Sequence, residues 1–301
     1  MHVTASPTAA AATPRAPAGP WLRPETVGVE SRAAFPTRPF AVRHELVGHP
    51  LLTVEGILGL VERVPAKHVD WHPADVDLDL VGRPPKPPAD PRQLVREIET
   101  AKAWLGLDKV QADPEVRELA HAFLRQALAA LPERVGSMHR VEANFFVSSP
   151  GARKPVHMDP EHNFLLQVRG TKTVHLWDVA HKDIVPETLL EAFVTTDDWA
   201  GLPVSRGERE PDFSFHLEPG TGLYFPPFWP HAVENGTDQA SISASFTFHS
   251  DHSRRDETIR QMNAKLRRLG LSPRPPGASR WADRLKRGVM ATGRGLKNLV
   301  R

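Results

Sequence analysis

Pro155-Val156-His157-Met158-Asp159 sets an imidazole and a carboxylate two residues apart, and Phe228-Trp229-Pro230-His231 supplies a second imidazole 74 residues after the first. Two histidines and one carboxylate can occupy one face of an Fe(II) ion and leave the opposite positions free for a cosubstrate and oxygen. The candidate metal ligands are therefore His157, Asp159 and His231.

Spacing alone does not single them out. The chain has 15 histidines, and His68-Val69-Asp70, His181-Lys182-Asp183 and His249-Ser250-Asp251 repeat the same pattern, with His216-Leu217-Glu218 as a glutamate variant. Each of these, taken singly, reads as a solvated pair or a structural histidine. His157 differs in its surroundings. It follows the alternating run Val141-Glu142-Ala143-Asn144-Phe145-Phe146-Val147 and the turn-forming cluster Ser148-Ser149-Pro150-Gly151. It precedes two β-rich runs, Asn163 to Val168 and Thr171 to Trp177, separated by Arg169-Gly170. That pattern predicts a hairpin in which Val168 opposes Thr171, Gln167 opposes Lys172 and Asn163 opposes Leu176. Alternation then puts Asn163, Leu165, Gln167, Lys172 and Val174 on one face, and Phe164, Leu166, Val168, Thr173 and His175 on the other. A lysine among apolar residues is costly without an anion to pair with it. From the hairpin alone, an exposed lysine on a solvent face is the favoured reading of Lys172.

The run His157-Met158-Asp159-Pro160-Glu161-His162-Asn163-Phe164-Leu165-Leu166-Gln167-Val168-Arg169-Gly170-Thr171-Lys172 resembles the central motif of the jumonji C (cupin-like) 2-oxoglutarate oxygenases. It is most similar to the branch containing the asparaginyl hydroxylase of hypoxia-inducible factor. Gly220-Thr221-Gly222-Leu223-Tyr224-Phe225-Pro226-Pro227-Phe228-Trp229-Pro230-His231-Ala232-Val233-Glu234-Asn235 resembles that family's second motif, which delivers the distal histidine. The likeness spans residues 135 to 250, and residues 44 to 70 are reminiscent of what precedes the core in bacterial members.

The resemblance implies a mainly β fold with flanking helices, a double-stranded β-helix of the jelly-roll or cupin type, with iron near one open end. It implies Fe(II) as cofactor and 2-oxoglutarate as cosubstrate, and a dioxygenase that makes succinate and CO₂ while hydroxylating a protein or peptide side chain or a small molecule. Demethylation is the same chemistry on an N-methyl group. Carried over residue by residue, His157, Asp159 and His231 are the catalytic iron ligands. Lys172 binds the distal carboxylate of 2-oxoglutarate, Asn163 lies beside the cosubstrate, and Ser245 falls near another pocket-lining position. Two departures concern the cosubstrate. Lys154 stands three residues before His157, where relatives often place a hydroxyl, and Tyr224 is the only tyrosine, so an upstream tyrosine is absent or replaced.

Two other readings use the same residues. One is a cupin-like binding module without turnover, docked through a basic tail. The other is a different metal site, as in metal-dependent cupin isomerases, with His216 or Glu218 joining His231.

The remaining chain reads as support. Residues 1–20 form an Ala/Pro/Thr-rich, disordered start that makes a poor signal peptide; 21–134 are an α/β flank, 135–250 the barrel and 251–301 a basic helical extension. No apolar run approaches the roughly 18 residues of a membrane span, and cysteine is absent, which excludes disulfides and thiolate ligands. A cytoplasmic protein is expected. Asp90-Pro91 and Asp113-Pro114 pair an N-cap with proline and predict helices over 92–104 and 115–131, with another over 54–64. Arg83-Pro84-Pro85-Lys86-Pro87-Pro88 reads as a stiff surface connector. The segment 181–210, with Asp197, Asp198, Trp199 and Arg206-Gly207-Glu208-Arg209-Glu210, is long enough to cap the mouth of a barrel. From Arg254 to Arg301 there are 14 Lys/Arg against 3 Asp/Glu, a net of +11 in a chain of +2. A helix over 256–269 and another from Ser279 would carry this charge. Such a tail suits an anionic partner, nucleic acid, ribosome or membrane, and equally an acidic body of its own or a homodimer contact.

Overall fold

The computed structural model describes residues 19–76, 89–196 and 210–299. The start up to residue 18, the connector at 83–88, and Asp197, Asp198, Trp199 and 206–209 of the inter-motif segment lie outside the described residues. In chain order the elements are α1 (Val29–Ala34), β1 (Phe40–Arg43), α2 (Val54–Arg63), β2 (Val69–Pro73), α3 (Pro91–Arg96), β3 (Ala103–Leu107), α4 (Pro114–Ala130) and β4 (Met138–Ser148). Then come β5 (Arg153–His157), β6 (His162–Arg169), β7 (Lys172–Leu176), α5 (Glu187–Phe193), β8 (Phe213–Leu217), β9 (Thr221–Phe225), β10 (His231–Asn235), β11 (Ser241–Ser250), α6 (Asp251–Arg268) and α7 (Arg280–Leu299).

All strand pairs are antiparallel, in two sheets: seven strands in the order β1-β9-β6-β11-β4-β3-β2, and four in the order β5-β10-β7-β8. Leu165, Val174, Leu176, Leu217, Leu223, Phe225, Trp229 and Val233 fill the space between the sheets. The other face of the large sheet is covered by helix α4. Asp113 caps that helix by accepting from the backbone N–H of Glu115 at 3.0 Å and Val116 at 3.3 Å, with Pro114 at its first position. Its buried stripe of Val116, Leu119, Phe123 and Ala127 sits on the sheet, and the Phe123 ring lies 5.7 Å from Phe164 and 5.5 Å from Phe246. Truncating a buried phenylalanine of this kind costs about 3–5 kcal/mol. The architecture is the mainly β, cupin-like fold with flanking helices that the sequence implies.

Three local expectations fail. The predicted hairpin does not form, because β6 and β7 belong to different sheets. Gln167 faces Ser243 and not Lys172; Asn163 faces Phe225 and Thr247; Leu176 faces His231 and Phe213. Residues 169–171 are a corner between sheets. Gly170 has φ +64°, and a Cβ there would lie 2.7 Å from the carbonyl oxygen of Ala240. Gln167 fixes this corner, its Nε2 donating to the carbonyls of Arg169 (2.6 Å) and Gly170 (3.0 Å). A hairpin and a corner demand the same glycine, so local pattern does not separate them. The division of faces nevertheless holds. Asn163, Leu165 and Lys172 line the interior, Phe164, Leu166 and Val168 pack in the core beneath α4, and Thr173 and His175 meet His216 and Ser214 outside.

The helix predicted over 92–104 stops at Arg96. Ala103–Leu107 is strand β3, because pairing with both β2 and β4 overrides helical propensity. Helix α6 begins five residues earlier than the sequence predicts, at a reciprocal cap between Ser250 and Ser253.

The C-terminal pair of helices packs on the body. Arg267 pairs with the buried Glu191 (2.5 Å) and Arg260 with Glu187 (3.4 Å), both on α5. Trp281, Leu285 and Val289 of α7 face outward, 74%, 54% and 52% exposed. No described helix is long and apolar enough to cross a membrane.

Candidate functional site

His157 ends β5 and His231 begins β10, and the two are directly opposed in the antiparallel ladder. Their rings are 4.0 Å apart between centroids. Asp159 follows β5, and its backbone carbonyl accepts from Phe228 N–H at 2.7 Å, tying the first motif to the second. Phe228 holds φ +66° to make that bond, a left-handed conformation that costs a non-glycine residue roughly 1–3 kcal/mol. One ligand atom from each of His157, Asp159 and His231 lies within 4.8 Å of the other two.

The hydrogen bonds fix how the imidazoles present themselves. His157 Nδ1 lies 2.8 Å from the carbonyl of Pro155, and His231 Nδ1 lies 3.0 Å from that of Trp229. A carbonyl only accepts, so Nδ1 carries the proton in both rings and each Nε2 offers a lone pair. His231 Nε2 is 3.6 Å from Asp159 Oδ2. Burial pushes His157 well below the ordinary histidine range, helped by the nearby charges of Lys154 and His231, and burial lowers His231 as well. Both rings therefore stay neutral, the form that binds metal. Two neutral nitrogens and one carboxylate beside a cavity fit a divalent transition metal with sites left open.

Lys172 is 3% exposed, which settles the choice between a solvent face and a pocket in favour of the pocket. Its Nζ donates to Ser243 Oγ at 2.7 Å, and burial, then Lys154, pushes its ammonium down to about 7. Asn163 also lines the cavity, with Nδ2 3.5 Å from Asp159 Oδ2. Ser245 stands behind it and donates to Asn163 Oδ1 at 2.8 Å. Ser245, Asn163 and Asp159 thus form a line that orients the Asp159 carboxylate.

His216 and Glu218 do not reach His231. Phe213, Phe215 and Leu217 take the inward positions of β8, so His216 is turned out to Thr173 (3.3 Å) and Glu218 is exposed. Among the described residues, His157, Asp159 and His231 are the one group placed to share a metal. Of the other candidate histidines, His181 meets Asp212 and His249 meets Glu161, while Asp70 of the His68 pattern meets His72.

Sequence reasoning missed Trp104, Phe146 and Ser243 as site residues. Trp104 sits on β3 and Phe146 on β4, and both line the cavity of about 50 Å³ that holds the metal ligands. The only available signal for Ser243 was the alternation of 241–246. Apolar Met158, Trp177, Phe193 and Phe228 pack beside the metal-ligand loops, with Phe193 edge-on to Phe228 at 5.9 Å. The described part of the inter-motif segment, through α5, therefore borders this site.

The pattern of the cupin-like domain matches residues 92–254. Jumonji C domain-containing protein 5 of Drosophila melanogaster is 26% identical over 173 residues, covering 50% of this chain and 42% of that protein. Lysine-specific demethylase JMJ31 of Arabidopsis thaliana is 22% identical over 172 residues, covering 54% of this chain and 31% of that protein. The chain thus spans less than half the length of either curated relative. Among solved structures, Escherichia coli YcfD gives a TM-score of 0.49 at 18% identity, over 89% of this chain and 67% of that one. The YcfD ribosomal oxygenase in complex with cobalt and 2-oxoglutarate gives 0.42 at 18% identity, over 85% and 63%. With its pattern matched over more than half its length, this chain belongs to the cupin-like domain family.

Proposed function

We propose that this protein is an Fe(II)- and 2-oxoglutarate-dependent oxygenase of the jumonji C kind that hydroxylates a protein or peptide side chain or a small molecule. The observation that carries the reading is the convergence of two Nε2 lone pairs and a carboxylate on one cavity that also contains the buried ammonium of Lys172. A metal site alone would not need that lysine; a 2-oxo dicarboxylate would use both.

Fe(II) would be held by His157, Asp159 and His231, and with 2-oxoglutarate it would supply oxygen activation coupled to decarboxylation. The chain's own residues do the rest. The Pro155 and Trp229 carbonyls hold the imidazole tautomers, and Asn163, backed by Ser245, orients the Asp159 carboxylate. Ser243 aims Lys172 at the distal carboxylate. A charge-assisted hydrogen bond of this type contributes about 1.5–3 kcal/mol. The apolar residues around Phe228 limit water at the metal face.

Removal of an N-methyl group is the second reading, since the same oxidation at an N-methyl carbon releases it; it draws on the likeness to a protein named a lysine-specific demethylase. Succinate formation and oxygen uptake in the presence of Fe(II) and 2-oxoglutarate test the class. Wild type should convert 2-oxoglutarate slowly even without a primary substrate, and Asp159→Ala should not. Equal turnover in both would overturn the assignment.

A further inference from the structure

Between Arg280 and Ala291, helix α7 has three faces of different character. Asp283, Lys286 and Met290, at the i, i+3, i+7 spacing of one face, are buried. They fix the helix to the body. Asp283 accepts from the Gly277 N–H at 2.9 Å, Lys286 donates to the Arg274 carbonyl at 2.9 Å, and Met290 Sδ meets Lys265 of α6 at 3.5 Å. The second face is Trp281, Leu285 and Val289, each more than half exposed. The third is Arg280, Arg284 and Arg287, all exposed. At 3.6 residues per turn the three stand roughly a third of a turn apart.

A surface helix ordinarily turns its apolar stripe to the core. This one buries an aspartate and a lysine and exposes a tryptophan. Among the described residues seven large apolar side chains are exposed, and five of them, Leu269, Leu271, Trp281, Leu285 and Val289, belong to α7 or to its connection with α6. No carboxylate accompanies the arginines on the exposed faces, since the one acid between Arg280 and Ala291 is the buried Asp283. The whole chain is polarised in the same sense. Residues 254–301 carry +11, which leaves −9 on the rest of a chain of +2. Such a separation of charge turns this end of the molecule toward an anionic surface as it approaches.

We infer that α7 lies along an anionic membrane surface, with the Trp281, Leu285 and Val289 stripe sunk into the acyl boundary and the arginine row on lipid phosphates. A bilayer interface offers apolar depth and negative charge side by side, the two properties that these faces complement. Tryptophan suits that boundary, having an apolar ring and a polar N–H. Nucleic acid offers phosphates but no apolar layer for Leu285 and Val289. A second copy laid stripe to stripe would bring no exposed carboxylate to the arginines. The inference does not depend on the oxygenase reading.

The test is co-sedimentation of the full chain with vesicles of phosphatidylcholine alone and of phosphatidylcholine mixed with phosphatidylserine, at low and high salt. Wild type should bind the mixed vesicles, release them as salt rises and ignore the neutral ones. Leu285→Glu should weaken binding at least about tenfold. Arg284→Gln and Arg287→Gln together should weaken it roughly thirtyfold, about fivefold for each arginine. Trp281→Ser, at a position 74% exposed, is a second probe of the stripe if Leu285→Glu does not fold. No binding of wild type to mixed vesicles overturns the inference. Binding unchanged by the stripe variants also overturns it, since charge alone would then hold the protein. A dimer in solution that Leu285→Glu or Trp281→Ser separates would give the stripe to a second copy and overturn it. Tighter binding to duplex RNA or DNA than to mixed vesicles, kept in the stripe variants, would overturn it in favour of nucleic acid.

Discussion

Two polar clusters are buried in this barrel a few residues apart, and they are built in opposite ways. Around His162, every polar atom is used. Ser250 Oγ donates to His162 Nε2 (3.0 Å), His162 Nδ1 donates to Tyr224 Oη (2.8 Å), and Tyr224 donates to the carbonyl of Pro36 (3.1 Å). Burial pushes His162 down to about 3, so the ring stays neutral and the chain of bonds stays closed. Around His157 the bonds are open. Two Nε2 lone pairs and the Asp159 carboxylate lie together at one cavity, the Lys154 ammonium rests over the Phe146 and Trp104 rings, the Trp104 N–H has no acceptor, and Lys172 donates to Ser243. The first cluster is a strut joining the large sheet to the N-terminal flank and to helix α6. The second is a site, because its unsatisfied groups converge on one cavity. Burial alone would not separate the two; completeness of hydrogen bonding does.

Substitutions should divide along that line. The largest effect is expected in the open cluster. Asp159→Ala removes a metal ligand and should lower 2-oxoglutarate turnover by at least about a thousandfold, with little change in the unfolding midpoint; succinate release and thermal unfolding measured on one preparation check both halves. Lys172→Ala should weaken 2-oxoglutarate by roughly ten- to a hundredfold, read by calorimetry. An unchanged affinity would remove Lys172 from the cosubstrate site.

The pH dependence follows from the same lysine. A carboxylate needs the charged form, and in the free protein that form is complete only below about 7. Affinity for 2-oxoglutarate should therefore hold below neutrality and weaken as pH rises above it, approaching tenfold per pH unit. A flat profile between pH 6.5 and 8.5 would show that Lys172 stays charged without ligand.

The smallest functional effect is expected in the closed cluster. Tyr224→Phe strands the Nδ1–H of His162 and should cost about 1–3 kcal/mol of stability, seen in denaturant unfolding, while 2-oxoglutarate affinity stays at the wild-type value. A loss of affinity there would mean that the two clusters are coupled.

The legibility of these clusters in the sequence also differs. The meeting of His157, Asp159 and His231 was readable because they lie in two short motifs whose residue types have few other reasons to coincide. The capped helix α4 and the inward face of β6 were readable from period alone. The β6–β7 hairpin was misread, since Arg169-Gly170 serves a corner as well as a turn, and only the partners of each strand decide. Trp104 was hidden inside an apparent helix whose end is set by pairing with β2 and β4, distant in sequence. Lys154 stood out as a departure, yet its direction depends on a one-residue bulge opposite β10 that no local pattern announces. Residues placed by their own segment were legible; those placed by a neighbouring strand were not.

The most direct test of the central claim is the visible metal-to-ligand charge-transfer band when Fe(II) and 2-oxoglutarate are added to the metal-free protein without oxygen. The band should appear in wild type and be lost in His157→Ala and, at subsaturating cosubstrate, in Lys172→Ala. Iron bound at His157, Asp159 and His231 with no band would contradict the account and turn the site into a metal cupin of another kind; no iron binding at all would leave a binding module.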